Sequence, residues 1–235
     1  MKRSEYMQKI TVSSIIACGG SSTRMNGVNK QFAEIGGVPV CVRSMMIFEE
    51  IDEVTEIIVS AREQDIPEIE RLARDYGVTK FKCAVKGGET RQKSVFAAFM
   101  QTDKSTRYIA VHDGARPFAD TEKIKKCIRD ASVFGGAALG VPVKDTIKTV
   151  NGDLIVDTPD RSSLYAIQTP QIFRRDIYVK GVNFALDHEL DFTDDCQLAE
   201  AVGVKVCVTS SDHGNIKITT PEDIFIGEAI LKSKA

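Results

Sequence analysis

Along the first half of the chain, short apolar runs, glycine turns and stretches with apolar residues at helical spacing follow one another in a repeating order. Val12 to Ala17 reads as a buried strand closed by Gly19 and Gly20. A helix is expected near Pro39 to Glu50, with Pro39 at the first helical position, where its missing N–H costs nothing. Glu56 to Ser60 reads as a strand. The next helix, about Pro67 to Tyr76, puts Ile66, Ile69, Leu72, Ala73 and Tyr76 on one face and stops at Gly77. Phe81 to Val85 is a further strand. Gly87-Gly88 then turns into a helix through Ser94 and Val95 to Met100. Tyr108 to Val111 is the next strand, followed by a helix capped by Asp120 or Thr121 and ending at Gly135-Gly136. This alternation predicts an α/β protein with a mostly parallel central sheet and helices on both faces. In such sheets ligands sit beyond the carboxyl ends of the strands, where the loops at Gly19, Gly87 and Asp113 would line one crevice.

The rhythm changes after Gly140. Val141 to Val150 and Leu154 to Thr158 flank Asn151-Gly152, a strong hairpin signal, so 141–170 reads as a β-arm. An isolated hairpin is marginal in water, and a partner subunit is its natural support. A helix is expected over Arg174 to Asp187, and another capped by Thr193, with Asp194 and Asp195 in its first turn and Gly203 at its end. Val204 to Thr209 and Asn215 to Thr219 read as short strands before a last helix opened by Thr220-Pro221-Glu222-Asp223. With no repeat or linker in view, the expectation is one domain over residues 1–235 carrying the arm.

Composition narrows the field. The chain has 235 residues, 43% of them hydrophobic, and a formal net charge of −2, which argues against bulk nucleic-acid binding and makes any basic site local. No apolar run reaches the roughly 20 residues of a membrane helix, and Met1 to Gln8 is too polar for a signal peptide, so a cytoplasmic protein is expected. The six cysteines are scattered without a Cys-x-x-Cys pair, which fits reduced core residues better than zinc. Cys18, although in the first loop, reads as a small packing residue.

The loop after Ala17 has few side chains, so its backbone N–H groups can face an anion, and Arg24 and Lys30 follow it. It lacks the Gly-Lys-Ser/Thr ending of a P-loop, and Ser22 and Met25 interrupt a dinucleotide fingerprint. Arg91, Arg116, Arg161 and Lys217 also lie beside strand ends or turns. Taken singly, each cation reads as a surface charge; together they suit a polyphosphate. The acids Asp113, Asp145, Asp194 and Asp195 serve equally well as turn or helix-start residues, and His112 as a ring satisfying a buried backbone group. No nucleophile–base–acid set for hydrolysis stands out, so the chemistry reads as electrostatic, as in phosphoryl or nucleotidyl transfer.

At this point the motifs Gly19-Gly20-Ser21-Ser22-Thr23-Arg24-Met25, Lys30-Gln31, Gly87-Gly88-Glu89-Thr90-Arg91 with Ser94-Val95, and His112-Asp113-Gly114-Ala115-Arg116-Pro117 can be read together. So can Pro142 to Lys148, Asp160-Arg161, Gln168-Thr169-Pro170-Gln171, Thr193-Asp194-Asp195 and Asn215 to Asp223. In this order, over nearly the whole chain, they resemble the 2-C-methyl-D-erythritol 4-phosphate cytidylyltransferase family. The resemblance implies a three-layer Rossmann-like nucleotidyltransferase fold with a protruding β-arm. It implies transfer from CTP to a sugar-alcohol phosphate with Mg²⁺, giving a CDP-linked product and pyrophosphate in non-mevalonate isoprenoid synthesis.

Carried over by position, Arg24 and Lys30 stabilise charge on the α-phosphate, and Arg161 and Lys217 position the acceptor. The nucleotide is bound by Ala17, Cys18, Gly19, Gly20, Gly88, Glu89, Arg91 and Ser94, with Asp113 and Ala115 near the ribose and the metal-bearing phosphates. Asp113 is the one candidate metal ligand, the Mg²⁺ being held mostly by CTP. Asp113, Arg116, Thr146, Arg161, Thr169, Thr193 and Lys217 bind the acceptor, with Thr146 and Arg161 serving the partner's site in a homodimer that exchanges arms. The chain departs from the family pattern at Ser22, where glycine is usual, and at Asn29, where proline is common. Glu89 replaces a frequent aspartate, and the Arg24–Lys30 interval is shorter by one residue. The alternatives are a ribitol-5-phosphate cytidylyltransferase, from which Asp160-Arg161 and Thr193-Asp194-Asp195 turn the reading away, and a non-catalytic CTP-binding regulator, against which the retained cations argue. A sugar-nucleotide glycosyltransferase would want an Asp-x-Asp pair that His112-Asp113-Gly114 lacks.

Overall fold

The computed structural model describes residues 9–20 and 29–234. In chain order, β1 (Val12–Ala17) precedes a small hairpin of β2 (Glu34–Ile35) and β3 (Val38–Pro39), then α1 (Val40–Glu49). β4 (Val54–Ala61) leads through a 3-10 turn (Glu63–Asp65) to α2 (Ile66–Asp75) and β5 (Phe81–Lys86). α3 (Arg91–Phe99), β6 (Tyr108–Asp113) and α4 (Thr121–Phe134) complete the alternating half. Then come β7 (Gly136–Pro142), the hairpin of β8 (Thr149–Asn151) and β9 (Leu154–Asp157), and β10 (Tyr165–Arg174). α5 (Arg175–Asp187), α6 (Cys196–Ala201), β11 (Cys207–Ser210) and α7 (Pro221–Lys234) follow.

Seven strands form one sheet in the order β11-β7-β10-β6-β1-β4-β5. β5, β4, β1 and β6 are mutually parallel, as are β7 and β11, while β10 runs antiparallel to both β6 and β7. Successive residues of a strand face opposite sides, and Ile15 and Ile16 of β1 are both fully buried, so both faces of the sheet are covered. On one side Cys41, Val42, Met45 and Phe48 of α1, Ile69 and Leu72 of α2, and Ile124, Cys127 and Ile128 of α4 pack on Ile16, Ile57 and Val59. On the other, Val95 of α3, Tyr178 and Val182 of α5 and Leu198 of α6 pack on Ile15, Ile58, Ile109 and Val111. A smaller cluster joins Ile35, Val40, Phe118 and Ile218 to Ile224, Ile230 and Leu231 of α7. These helix–sheet–helix layers are those of an α/β nucleotidyltransferase-like fold.

The second half corrects several expectations. Pairing within 141–170 is divided: Val141 and Pro142 belong to β7, Tyr165 to Pro170 to β10, and only β8 and β9 form the hairpin. β7 gives little signal in the sequence because Gly136-Ala137-Ala138-Leu139-Gly140 has little β-branched character. β10 was hidden by Pro170, which cannot donate to a ladder; the register between β10 and β7 shifts between Ile167 and Gln171, where that proline falls. The Thr169–Pro170 peptide bond is cis. Asn215 to Thr219 is not a strand but a connection whose Ile218 N–H donates to the Ala115 carbonyl at 2.8 Å. Thr193 is not the cap of α6; Asp194 Oδ1 accepts from the Gln197 N–H, and the helix begins at Cys196. Pro39 sits one residue before α1, with extended backbone, and β11 begins at Cys207 rather than Val204. The caps of α4 follow expectation: Asp120 accepts from the Lys123 N–H, and Gly135, at φ 87°, ends the helix in the left-handed region.

α5 and α6 cross at Gly181, where an added Cβ would lie 2.5 Å from the Leu198 carbonyl oxygen. Gly181→Ala must push the two helices apart, at a cost of about 1–3 kcal/mol. It is expected to lower the urea midpoint with an unchanged m value; a midpoint equal to wild type would show that the crossing tolerates the methyl group.

Candidate active site

Parallel pairing places three turns side by side. Ala17 is in register with Ser60 of β4 and with Asp113 of β6, so the chain leaves β1, β4 and β6 at one edge of the sheet. Cys18 N–H donates to the Ser60 carbonyl, Gly114 N–H to that of Ala17, and Gly87 N–H to that of Ala61. The turns are thus stitched to neighbouring strand ends. Thr90 caps α3 by accepting from the Lys93 N–H, and the Ser94 hydroxyl lies 2.9 Å from the Thr90 carbonyl and 3.2 Å from that of Gly88. A Cβ on Gly87 would come within 2.7 Å of Ser94 Oγ, so close approach of this turn to α3 requires glycine.

These turns surround a cleft of about 410 Å³. Among the described residues, Ala17, Gly19, Gly20, Lys30, Gly88, Glu89, Arg91, Ser94, Asp113, Ala115 and Lys217 line it, as do Gln31 and Thr90, which the sequence reading did not assign to the site. Its electrostatic centre is Asp113, whose side chain is only 10% exposed. Lys217 Nζ lies 2.7 Å from Oδ2, Arg91 Nε 3.4 Å from Oδ1 and Arg116 Nε 3.6 Å from Oδ2. Burial pushes this carboxyl up, yet Lys217, Arg91 and Arg116 outweigh it and hold Asp113 ionised well below the usual carboxylate range. Burial likewise opposes the Arg91 charge, and Asp195 and Asp113 more than restore it.

Buried polar groups behind them fix these side chains. Arg91 Nη1 donates to Asp195 Oδ2 at 2.7 Å, and Tyr178 OH to Asp195 Oδ1 at 3.0 Å. Gln171 of β10 accepts the N–H groups of Asp195 and Cys196 and donates to Asp194. Beneath Asp113, its own N–H donates to Thr169 Oγ1 at 2.9 Å, and Thr169 Oγ1 lies 3.1 Å from His112 Nδ1. Since His112 Nε2 is 3.0 Å from the Arg116 carbonyl, which can only accept, the ring is protonated at Nε2 and takes the Thr169 proton at Nδ1. His112 therefore serves backbone and neighbours, as the plainer reading of it expected.

Not every expected residue meets the cleft. Cys18 does not line it: its side chain is buried under the loop, burial pushes its thiol well up, and only its backbone belongs to the turn. Arg116 lies behind Asp113 and donates to the Asn215 carbonyl; Thr169 is buried beneath. Thr193 opens onto a separate depression with Ile167, Gln197 and Val208. Thr146 and Arg161 are exposed outside the cleft, and Arg161 donates to the Lys144 carbonyl. Arg24 lies outside the described residues. Asp195 and Gln171 matter more than their sequence context implied, because only the fold shows that both are buried against Arg91 or its supports. Among the described residues no three His, Cys, Asp or Glu side chains gather to hold a metal. The cleft offers one ionised, buried carboxylate, Asp113, which suits a Mg²⁺ carried chiefly by substrate phosphates.

A mostly parallel α/β sheet whose strand ends bring glycine turns and cations around one buried carboxylate defines a nucleotidyltransferase-like protein. The family model for 2-C-methyl-D-erythritol 4-phosphate cytidylyltransferase matches residues 12–233. The chain belongs to that family. It is 44% identical to the 2-C-methyl-D-erythritol 4-phosphate cytidylyltransferase of Caldanaerobacter subterraneus subsp. tengcongensis, over 95% of this chain and all of the relative. It is 40% identical to the enzyme of that name from Halalkalibacterium halodurans, over 94% and 96% of the two chains. The crystal structure of 4-diphosphocytidyl-2C-methyl-D-erythritol synthase from Anaerococcus prevotii superposes with a TM-score of 0.85 at 32% identity, covering 95% of this chain and 97% of that one.

The neutral state of His112 has a consequence for stability. Burial lowers its pKa from 6.5 to about 4. Between those values the unfolded chain binds a proton that the folded chain refuses, so stability falls as pH drops through this window, by at most about 3 kcal/mol. Asp113 adds a loss of the same sign below 3.8, its ordinary value. Unfolding free energies measured across pH 4 to 6.5 should fall less steeply with acid in His112→Gln than in wild type; equal slopes would contradict the assignment.

Proposed function

We propose that this chain transfers a cytidylyl group from CTP to 2-C-methyl-D-erythritol 4-phosphate, yielding the CDP-linked product and pyrophosphate of the non-mevalonate isoprenoid route. The observation that carries this reading is the cleft itself, lined by glycine turns after β1 and β5 together with Lys30, Arg91, Lys217 and the buried Asp113. Turns with few side chains suit a base held by backbone groups, and the cations a polyphosphate and a phosphorylated acceptor.

In the reaction an acceptor phosphate oxygen attacks the α-phosphorus of CTP, and the bond from that phosphorus to the oxygen bridging to the β-phosphate breaks. The electron pair leaves with pyrophosphate. No proton must be removed from an ionised acceptor phosphate, which agrees with a site rich in cations. Lys30, with Arg24, is assigned to the charge that develops on the α-phosphate oxygens; removing one donor of this kind costs about 10²–10³ in kcat. Lys217 is assigned to the acceptor phosphate, Arg91 to the nucleotide and Asp113 to the ribose edge. Asp113 is the residue that would hold a Mg²⁺ entering with CTP, and such an ion would supply further charge neutralisation. Among the described residues no helix is long and apolar enough to cross a membrane; we place the enzyme in the cytoplasm.

The arm enters the same reading. Val150, Leu154, Ile155 and Val156 of the hairpin are all more than half exposed, and Thr146 and Arg161 stand beside it, away from the cleft. A homodimer in which each arm reaches the other subunit would cover this apolar surface and deliver Thr146 and Arg161 to the acceptor side of the partner's cleft.

Two experiments test these assignments. Pyrophosphate release from CTP and Mg²⁺ should favour 2-C-methyl-D-erythritol 4-phosphate over ribitol 5-phosphate by orders of magnitude in kcat/KM. The reverse preference would move the enzyme to polyol-phosphate chemistry, and CTP binding without release would support a regulator. Separately, Arg161→Ala and Lys217→Ala should each be nearly inactive, yet an equal mixture after subunit exchange should recover about a quarter of wild-type turnover, the statistical share of intact sites in a two-fold dimer. No recovery would place Arg161 with its own cleft.

A further inference from the structure

Lys30 reaches the cleft from a tight turn, and we infer that Asn29 and Asp65 act as positioning residues for it, a role resting on the assignment of Lys30 to the CTP phosphates. Phe32 N–H donates to the Asn29 carbonyl at 3.0 Å and closes the turn, with Lys30 in its second position. The Asn29 side chain is used at both ends. Its Oδ1 accepts from the Gln31 N–H at 3.2 Å, and its Nδ2 donates to Asp65 Oδ2 at 3.0 Å. The amide can face only this way, because a backbone N–H cannot accept and a carboxylate cannot donate. On the far side, the Gln31 carbonyl accepts from the Cys41 N–H at the start of α1.

Asp65 is a fixed point. It ends the 3-10 turn that follows β4, is 6% exposed, and is gripped by Arg62 through Nε at 2.6 Å and Nη2 at 3.1 Å. Arg62 supplies its counter-charge while the carboxylate anchors the turn. The position of β4 is thereby passed through two short polar contacts to the backbone of Lys30. Lysine has a long flexible stem and loses much rotamer freedom on being aimed. Holding its backbone in advance lessens what the reaction must order, and a cation directed at developing charge is effective only when placed beforehand.

Asn29→Ala removes both side-chain bonds and leaves the Arg62–Asp65 pair intact. In the full-length enzyme it should lower kcat for pyrophosphate release about tenfold, as expected for a small misplacement of a charge-stabilising group, while CTP affinity by calorimetry changes far less. In a Lys30→Ala background the same substitution should cost nothing further. Asn29→Asp keeps an acceptor for Gln31 but sets a like charge against Asp65, and should resemble Asn29→Ala. Equal losses with and without Lys30, or wild-type kcat in Asn29→Ala, would overturn the inference; wild-type kcat in Asn29→Asp would remove Asp65 from it. Wild-type turnover by Lys30→Ala itself would instead overturn the role of Lys30 on which the inference rests.

Discussion

A buried carboxylate at the end of β6 sets the terms for everything around it. Asp113 cannot remain ionised where it is without cations, because an unpaired buried charge costs several kcal/mol or more. Arg91 comes from α3, Arg116 from the loop after β6, and Lys217 from the connection before α7. Three separate parts of the chain must therefore arrive at one point, and each has its own support. Arg91 is held by Asp195, Arg116 by the Asn215 carbonyl, and the Lys217 segment by Ile218 packed on Phe118 and Ile35. Lys217 is the most exposed of the three, so it is the partner most weakened by solvent screening and the one freest to turn toward a substrate phosphate.

The same network joins the two halves of the sheet. β10 lies between β6 and β7, and Gln171 on it takes hold of the start of α6. Asp195 then reaches back to Arg91, which borders the Gly87-Gly88 turn. A cleft wall that belongs to the first hundred residues is thus oriented by side chains more than seventy positions further on.

Much of the first half could be read from the chain alone, because its central strands are largely apolar and its helices carry ordinary stops such as Gly77 and Gly135. The cleft-lining turns were likewise visible, since glycine pairs after a strand have few structural uses. The second half resisted for identifiable reasons. β7 is built from glycine and alanine, which show little strand preference, and β10 contains a proline at a break in register. Asp195 could not be separated from Asp194 by local rules, since either suits a helix start; tertiary burial alone divides them, one onto Gln171 and Gln197, the other onto Arg91. Thr169 and His112 stand out in the sequence, but their hydrogen-bonded order depends on β10 lying against β6, which no periodicity announces.

The place of β10 also constrains the order in which a newly made chain can finish itself. The pairings among β1, β4, β5 and β6 need nothing beyond residue 113, so that side of the sheet can form early from parallel units close in sequence. β7 cannot join it directly, because the strand that separates them ends at Arg174. Asp113 acquires Thr169, then the neighbour of its neighbour at Asp195, and last of all Lys217, which is supplied 104 positions further along. Contacts of such long range are slow to form because the intervening loop must close first. During synthesis, the future centre of the cleft is therefore an acid with Arg91 and Arg116 already made but Lys217 still to come, and the site becomes electrically complete only when the chain has passed residue 217.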